Sequence, residues 1–213
     1  MPGETAVPGS ITGRSGTPFD QKVNVALDPV TVKAVDKYWN LIPGANNTVV
    51  FTSNDKFCQM PSSAADRTLV NGQKVYTSAQ LSPKFIFQTA SMEDAVKKWI
   101  KAAPAAGALI PDTGTAVNVN PNDPVKLQVL LTGEQPVIGD AGRGRTGTPQ
   151  KPVAGVAYNV TVRVTDFYWN LVSSAVASVS LASTTDPYFT GVGGTNITGS
   201  KTLSVTFKRA NID

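Results

Sequence analysis

An all-β fold of antiparallel sandwiches, built twice along the chain, is what the sequence predicts, and three observations predict it. Only 16% of residues are charged while Gly, Pro, Thr, Ser, Val and Asn abound, which suits short strands joined by turns. Apolar and polar residues alternate with a period of two in segment after segment. The phrase "VTVKAVDKYWNLI", Val30 to Ile42, returns as "VTVRVTDFYWNLV" from Val160.

Laid on one another, Thr31 to Ser53 and Thr161 to Ser183 need no gap at an offset of 130, and 10 of the 23 positions are identical. Self-similarity of this extent points to a repeated unit. It extends backwards, where "PGETAVPGSITGRSGTP" from Pro2 parallels "TGEQPVIGDAGRGRTGTP" from Thr132 with one extra residue in the second copy. It extends forwards, where "LSPKFIFQTA" ending at Ala90 parallels "TLSVTFKRA" ending at Ala210. With 213 residues the chain is long enough for two sandwiches of about 100 residues, each with an adequate core. The predicted units are 1–122 and 123–213, joined by "NPNDP", Asn120 to Pro124, whose prolines interrupt any strand ladder. "VKLQVLL", Val125 to Leu131, precedes the second copy as a strand with no counterpart before the first. The first copy continues past Ala90 through "VKKWIKAAP" and "TAVNVNP", which the second lacks. Each copy is therefore expected to want what the other has: the first its opening strand, the second its closing strands.

Parity assigns the faces. Val30, Val32 and Ala34 share one side of their strand and Thr31 and Lys33 the other; Val160, Val162 and Val164 face inwards and Thr161 and Arg163 outwards. The next strand places Val49 and Phe51, or Val179 and Leu181, on the core. A later one places Phe85 and Phe87, or Leu203, Val205 and Phe207. Apolar sides of this kind close into a sandwich. "SMEDAVKKWIKAA" from Ser91 holds two readings. Ser91 followed by Asp94 is a capping-box pattern, and Met92, Ala95, Val96, Trp99, Ile100 and Ala103 recur at helical spacing, whereas the repeat requires a closing strand here. The strand is placed around Lys98 to Ala102, with a helical turn before it.

Composition removes most chemistries. With no histidine and a single cysteine, Cys58, internal disulfides, Cys/His zinc sites and His-based triads or general bases are excluded. Cys58 is expected as an inert buried thiol. The formal charge of +4 is spread singly over strands and loops, without the basic runs that bind nucleic acid. There is no apolar run of 18 residues, and Met-Pro-Gly does not open a secretory leader, so export would be directed by something else or the chain is a piece of a longer one. Glu93 and Asp94 are adjacent, point apart on helix or strand, and cannot serve one substrate as an acid–base couple. Neither a cofactor nor an enzymatic activity is expected.

The repeated phrase ends both times in Asp-x-Tyr-Trp-Asn. Asp36 and Asp166 stand where a carboxylate accepts backbone N–H groups of the coming turn, and Asn40 and Asn170 are the residues expected in the left-handed conformation. Trp39 and Trp169, with Tyr38 and Tyr168, then cover the end of each sandwich. The alternative is that these four aromatics stack against glycans. Asp36 and Asp166 are also candidate calcium ligands, with few acids nearby for an ion that takes about six or more oxygens. "GDAGRGRTG" from Gly139 lacks the strand-to-helix setting of a phosphate loop and is expected to be flexible and solvated. If a loop of this chain binds a ligand it is this one, through Arg143 and Arg145.

"VTVRVTDFYWNLVSSAVASVSLAS" resembles the bacterial immunoglobulin-like repeats of the invasin/intimin and filamin-like type, where an alternating strand ends in Asp-x-x-Gly-Asn or a relative and a Val-x-Val/Leu-x-Ser strand follows. More narrowly, "PGE(T/Q)xVxG...GRxGTP" followed by "V(T)V(K/R)xxDxYWN" is similar to tandem repeats of very large secreted or surface proteins of bacteria. The resemblance covers nearly the whole chain, with Tyr-Trp in place of the usual small residue and Gly. It implies tandem immunoglobulin-like β-sandwiches with a structural role in an extracellular or cell-surface filament, surface layer, stalk or adhesin. The implied partners are copies of the chain or neighbouring repeats of its kind, with surface glycans as the alternative, and neither nucleic acid nor a membrane interior. Strand exchange between subunits, with "VKLQVLL" given or received, is the expected joint.

Overall fold

The structure is a computed structural model and describes residues 1–79 and 84–210. Strands dominate the described residues, and helix is limited to two four-residue turns, α1 (Ala64–Arg67) and α2 (Ser91–Asp94). The chain is therefore all-β, with predominantly antiparallel pairing, and it divides into two compact units, Met1–Asn120 and Pro121–Asp213.

In the first unit β1 (Glu4–Ala6) and β2 (Arg14–Gly16) form a hairpin. β3 (Gln21–Lys22), β4 (Val30–Lys33), β5 (Val49–Ser53), β6 (Gln73–Tyr76), β7 (Ile100–Pro104), β8 (Asp112–Thr113) and β9 (Val119–Asn120) follow. β4 pairs with β6, β7 lies between β5 and β8, and β3 pairs in parallel with β9. Alternation puts Val30 and Ala34 of the β4 phrase, and Val49 and Phe51 of β5, into the core with Leu69, Tyr76, Phe85 and Ile100. The rings of Phe51, Tyr76 and Phe85 meet edge to face with centroids 4.8–5.7 Å apart, the arrangement aromatic quadrupoles favour.

The second unit contains β10 (Lys126–Leu131), β11 (Glu134–Pro136), β12 (Arg145–Gly147), β13 (Ala157–Thr165), β14 (Val176–Leu181), β15 (Val192–Thr198) and β16 (Ser200–Thr206). β13 runs between β10 and β16, β11 pairs with β12, and β14 with β15, all antiparallel. Val160, Val162 and Val164 pack on Val179, Ile197, Leu203 and Val205.

Three expectations change in detail. Arg163 does not face solvent: it is 4% exposed and its guanidinium donates to Gln128 Oε1 on β10 at 2.6 Å, whereas Lys33 at the matching place is exposed. A neighbouring strand, which parity alone cannot see, covers that side. The helical spacing from Ser91 lasts one turn, because Ala95 takes a left-handed φ of 54° and the following residues find partners elsewhere. Ser91 is no cap; its Oγ accepts the Val119 N–H at 3.0 Å, and Lys98 exchanges backbone bonds with Val117 before β7 begins. Finally, the residue opposite Val30 is Tyr76, as Leu203 is opposite Val160, so Tyr76 takes the place of Leu203. Phe85 and Phe87 keep the places of Val205 and Phe207: Ala26 bridges Ile86 as Ala157 pairs with Thr206, and Phe87 O accepts from Asn24 as Phe207 O accepts from Gly155. Leu81, Ser82 and Pro83 of the forward match, and the stop at Asp213, lie outside the described residues.

Candidate functional site

The best-built feature of each unit is the turn that ends β4 and β13. Asp36 Oδ1 accepts the N–H groups of Tyr38 (2.8 Å) and Asn40 (2.9 Å), and Asn40 Nδ2 donates to Oδ2 at 3.0 Å. Asp166 accepts in the same way from Tyr168 (2.8 Å), Asn170 (3.0 Å) and Asn170 Nδ2 (3.0 Å). The Asn40 amide, followed by the Asn40 backbone N–H, holds the Asp36 carboxyl below the usual carboxylate range.

The left-handed residue of the turn is the tryptophan and not the asparagine: φ is 67° at Trp39 and 65° at Trp169. A bulky side chain in that region is strained, by roughly 1–2 kcal/mol, so something must hold it there. The holder is the other half of the repeated signature. Gly13 and Gly144, the first glycines of Gly-Arg-(Ser/Thr)-Gly-Thr-Pro, lie under the indole rings, and a Cβ at either would stand 2.2 Å or 2.1 Å from a ring atom. Both glycines are themselves left-handed, at 71° and 66°. Trp39 Nε1 donates to Ile11 O (3.3 Å) and Trp169 Nε1 to Gly142 O (3.0 Å). Backbone bonds from Gly9 to Tyr38 O (2.7 Å) and from Gly139 to Tyr168 O (2.8 Å) fasten the same loops to the same turns. Two motifs separated by about twenty-five residues of sequence are thus one packing arrangement, present in both units.

The loop from Gly139 is accordingly not a loose excursion. The Asp140 carboxylate accepts from Gly142 N (2.8 Å) and Gly144 N (3.0 Å), and in the first unit Ser10 Oγ receives Gly13 N at 2.9 Å. Both arginines are exposed, but Arg145 is tied down: it donates to Val129 O at 2.9 Å and lies 3.4 Å from Glu134 Oε1. The aromatics are unequal as well: Tyr38 is exposed (57%), Tyr168 is buried, and each indole has its own glycine backbone against it. As for calcium, the carboxylates of Asp36 and Asp166 accept N–H donors, and no group of three or more His, Cys, Asp or Glu that could hold a metal occurs among the described residues.

A second matched pair went unseen in the sequence. Asp55 and Asp186 are buried. Asp55 accepts from Phe57 N (3.0 Å), Gln88 N (2.7 Å) and Thr89 N (3.0 Å); Asp186 accepts from Tyr188 N (3.0 Å), Lys208 N (2.6 Å) and Arg209 N (3.0 Å). The signal was present as an aspartate two residues before an aromatic, "DKF" and "DPY", matched later by "FQTA" and "FKRA". Cys58 sits beside this first aspartate, half-buried, and burial pushes its thiol up to about 12.

The two turns differ in what covers them. Asp166, Asn170 and Thr165 are fully buried, whereas Asp36 and Asn40 are exposed. The cover in the second unit is the segment leading into β10: Asn122 N donates to Asp166 Oδ2 (3.1 Å) and Val125 N to Thr165 O (2.9 Å). Lys126 Nζ reaches Phe167 O (2.6 Å) and lies 4.1 and 4.2 Å from the ring centroids of Phe167 and Trp169. Comparison with protein-family models, with curated proteins and with solved structures returned no match for this chain.

Proposed function

We propose that the chain is a non-enzymatic structural unit of a bacterial extracellular assembly, two tandem immunoglobulin-like β-sandwiches joined to their neighbours along open strand edges. The observation that carries this reading is a pair of complementary edges. Among the described residues, β13 is paired on both sides but its counterpart β4 only with β6; β5 has β7 on one side and, at its start, the Thr48–Thr68 bridge on the other, but its counterpart β14 pairs only with β15. An unpaired strand edge is a template for another strand. The carboxylates of Asp36, Asp55, Asp166 and Asp186 all accept backbone N–H groups, a turn-holding use that supports a structural role. Glycan stacking has less support, because glycine backbone already lies against each indole.

Light scattering and negative-stain microscopy over a concentration series test the proposal. Regular fibres or rings that grow with concentration are the expected outcome. A monomer at every concentration would overturn the building-unit reading and leave a stalk or binding module.

A further inference from the structure

β4 and β13 carry the same phrase beside different neighbours. Among the described residues, no strand lies along the edge of β4 opposite β6. Ala34 donates its N–H to Gly72 O on the β6 side, so alternation along an antiparallel strand turns the N–H and C=O groups of Thr31 and Lys33 to the open edge. At the matching positions Thr161 and Arg163 pair with Leu130 and Gln128 of β10.

The surroundings of that edge match the two side-chain rows of β10. One row, Leu127, Val129 and Leu131, stands opposite Val164, Val162 and Val160, with Val129 and Leu131 against the core. The other, Lys126, Gln128 and Leu130, stands opposite Thr165, Arg163 and Thr161; Gln128 bridges Arg163 to Gly144 O. Beside β4 there are two grooves. The first, of about 160 Å³, is lined by Val30, Val32, Ala34, Phe51, Leu69 and Ile100. The second, of about 290 Å³, is lined by Glu4, Arg14, Thr31, Lys33, Val35 and Trp39. A groove floored by core side chains and one lined by polar and apolar residues together thus stand where a β10-like strand would direct its apolar and its mixed row. Even the end of the slot corresponds: the Met1 amino group lies 3.0 Å from Glu4 Oε2, where Leu131 N donates to Glu134 Oε2 at 2.9 Å.

We infer that the open edge of β4 takes an added antiparallel strand with the pattern of Asn122 to Leu130, supplied by a neighbouring chain of the same kind. Its apolar row fills the first groove, its glutamine position lies opposite Lys33, and its leading residues cover Asp36 and Asn40 as Asn122 covers Asp166. Main-chain bonds supply affinity in such strand addition and the side-chain rows supply register. The source of the strand rests on the building-unit reading; the slot itself rests on β4.

The test is a fluorescent peptide with the sequence of residues 122–130, titrated against the whole chain by anisotropy, with amide hydrogen exchange measured in parallel. The expected result is saturable binding that slows exchange over residues 30–36 and leaves β13 unchanged. A peptide with proline at the Gln128 position removes a ladder donor and is expected to bind about tenfold more weakly or worse. Lys33→Pro in the chain is expected to do the same; should that variant misfold, the peptide variant still decides. No saturable binding, or exchange changes confined to β13 through displacement of β10, would overturn the inference. Fibres formed by a chain that ignores the peptide would remove the slot and spare the building-unit reading. A chain that stays monomeric yet takes the peptide would do the reverse.

Discussion

At the residue scale, the indole-on-glycine contact explains why the two halves of the repeated signature occur together, and it makes the glycines the least replaceable positions. Gly144→Ala would place a Cβ 2.1 Å from Trp169 Cγ on a backbone with φ of 66°, so overpacking and left-handed strain add to about 2–4 kcal/mol of destabilisation, measured by denaturant unfolding. Asp166→Ala leaves buried N–H groups of Tyr168, Asn170 and Asn122 without their acceptor, for a loss of about 3 kcal/mol; Asp36→Ala, at an exposed turn, costs clearly less. Asp186 also sets an acid limit. The Arg209 N–H foremost, with those of Lys208 and Tyr188, holds the Asp186 carboxyl below its ordinary value of 3.8. A depressed folded-state value means that the stabilisation is complete above the ordinary carboxylate range and is lost as pH falls below it. Carboxyl NMR titration should show Asp186 still charged where free carboxylates have protonated, and Asp186→Asn should flatten the acid side of the stability curve. The role of Asp36 and Asp166 was legible because a carboxylate at a strand end suits a turn. The left-handed tryptophan was not, because propensity favours asparagine and only packing on a glycine distant in sequence reverses it.

At the element scale, alternation located β4, β5, β13 and β14 and their core faces, since a half-buried strand writes its environment into every second residue. It failed at Arg163, where β10 covers the outer face. Between Ser91 and Ala103 local spacing suggested a helix and the repeat demanded a strand. Tertiary pairing decided for β7 after one helical turn, because bonds from Val119 N to Ser91 Oγ and from Trp99 N to Asn54 Oδ1 draw that segment into the unit. Pairing also dictates local stability. Thr161 and Arg163 sit in the middle of a three-stranded sheet while Thr31 and Lys33 face an open edge, so their amides should exchange orders of magnitude more slowly, as read by hydrogen-exchange mass spectrometry or NMR. Similar protection at both places would mean that β4 is already paired in solution.

At the scale of the whole molecule, the division at Asn120 and Pro121 gives each unit its own core and its own copy of the indole-on-glycine and aspartate arrangements. Units of roughly 100 residues bury enough surface to fold cooperatively by themselves. Calorimetry should therefore resolve two unfolding transitions, and the paired glycines identify them: Gly13→Ala should lower one and Gly144→Ala the other, by about 4–8 °C for each kcal/mol lost. The second transition is expected to be the higher where stability follows cover, since the β13 turn is sealed by the segment entering β10 and the β4 turn lies open. Adding the 122–130 peptide should then raise the transition that Gly13→Ala lowers and leave the other in place, because a ligand stabilises only the unit that binds it in the folded state. One transition moved equally by both substitutions would instead make the two units a single cooperative body, in which the open edge of the first could not be filled without stabilising the second.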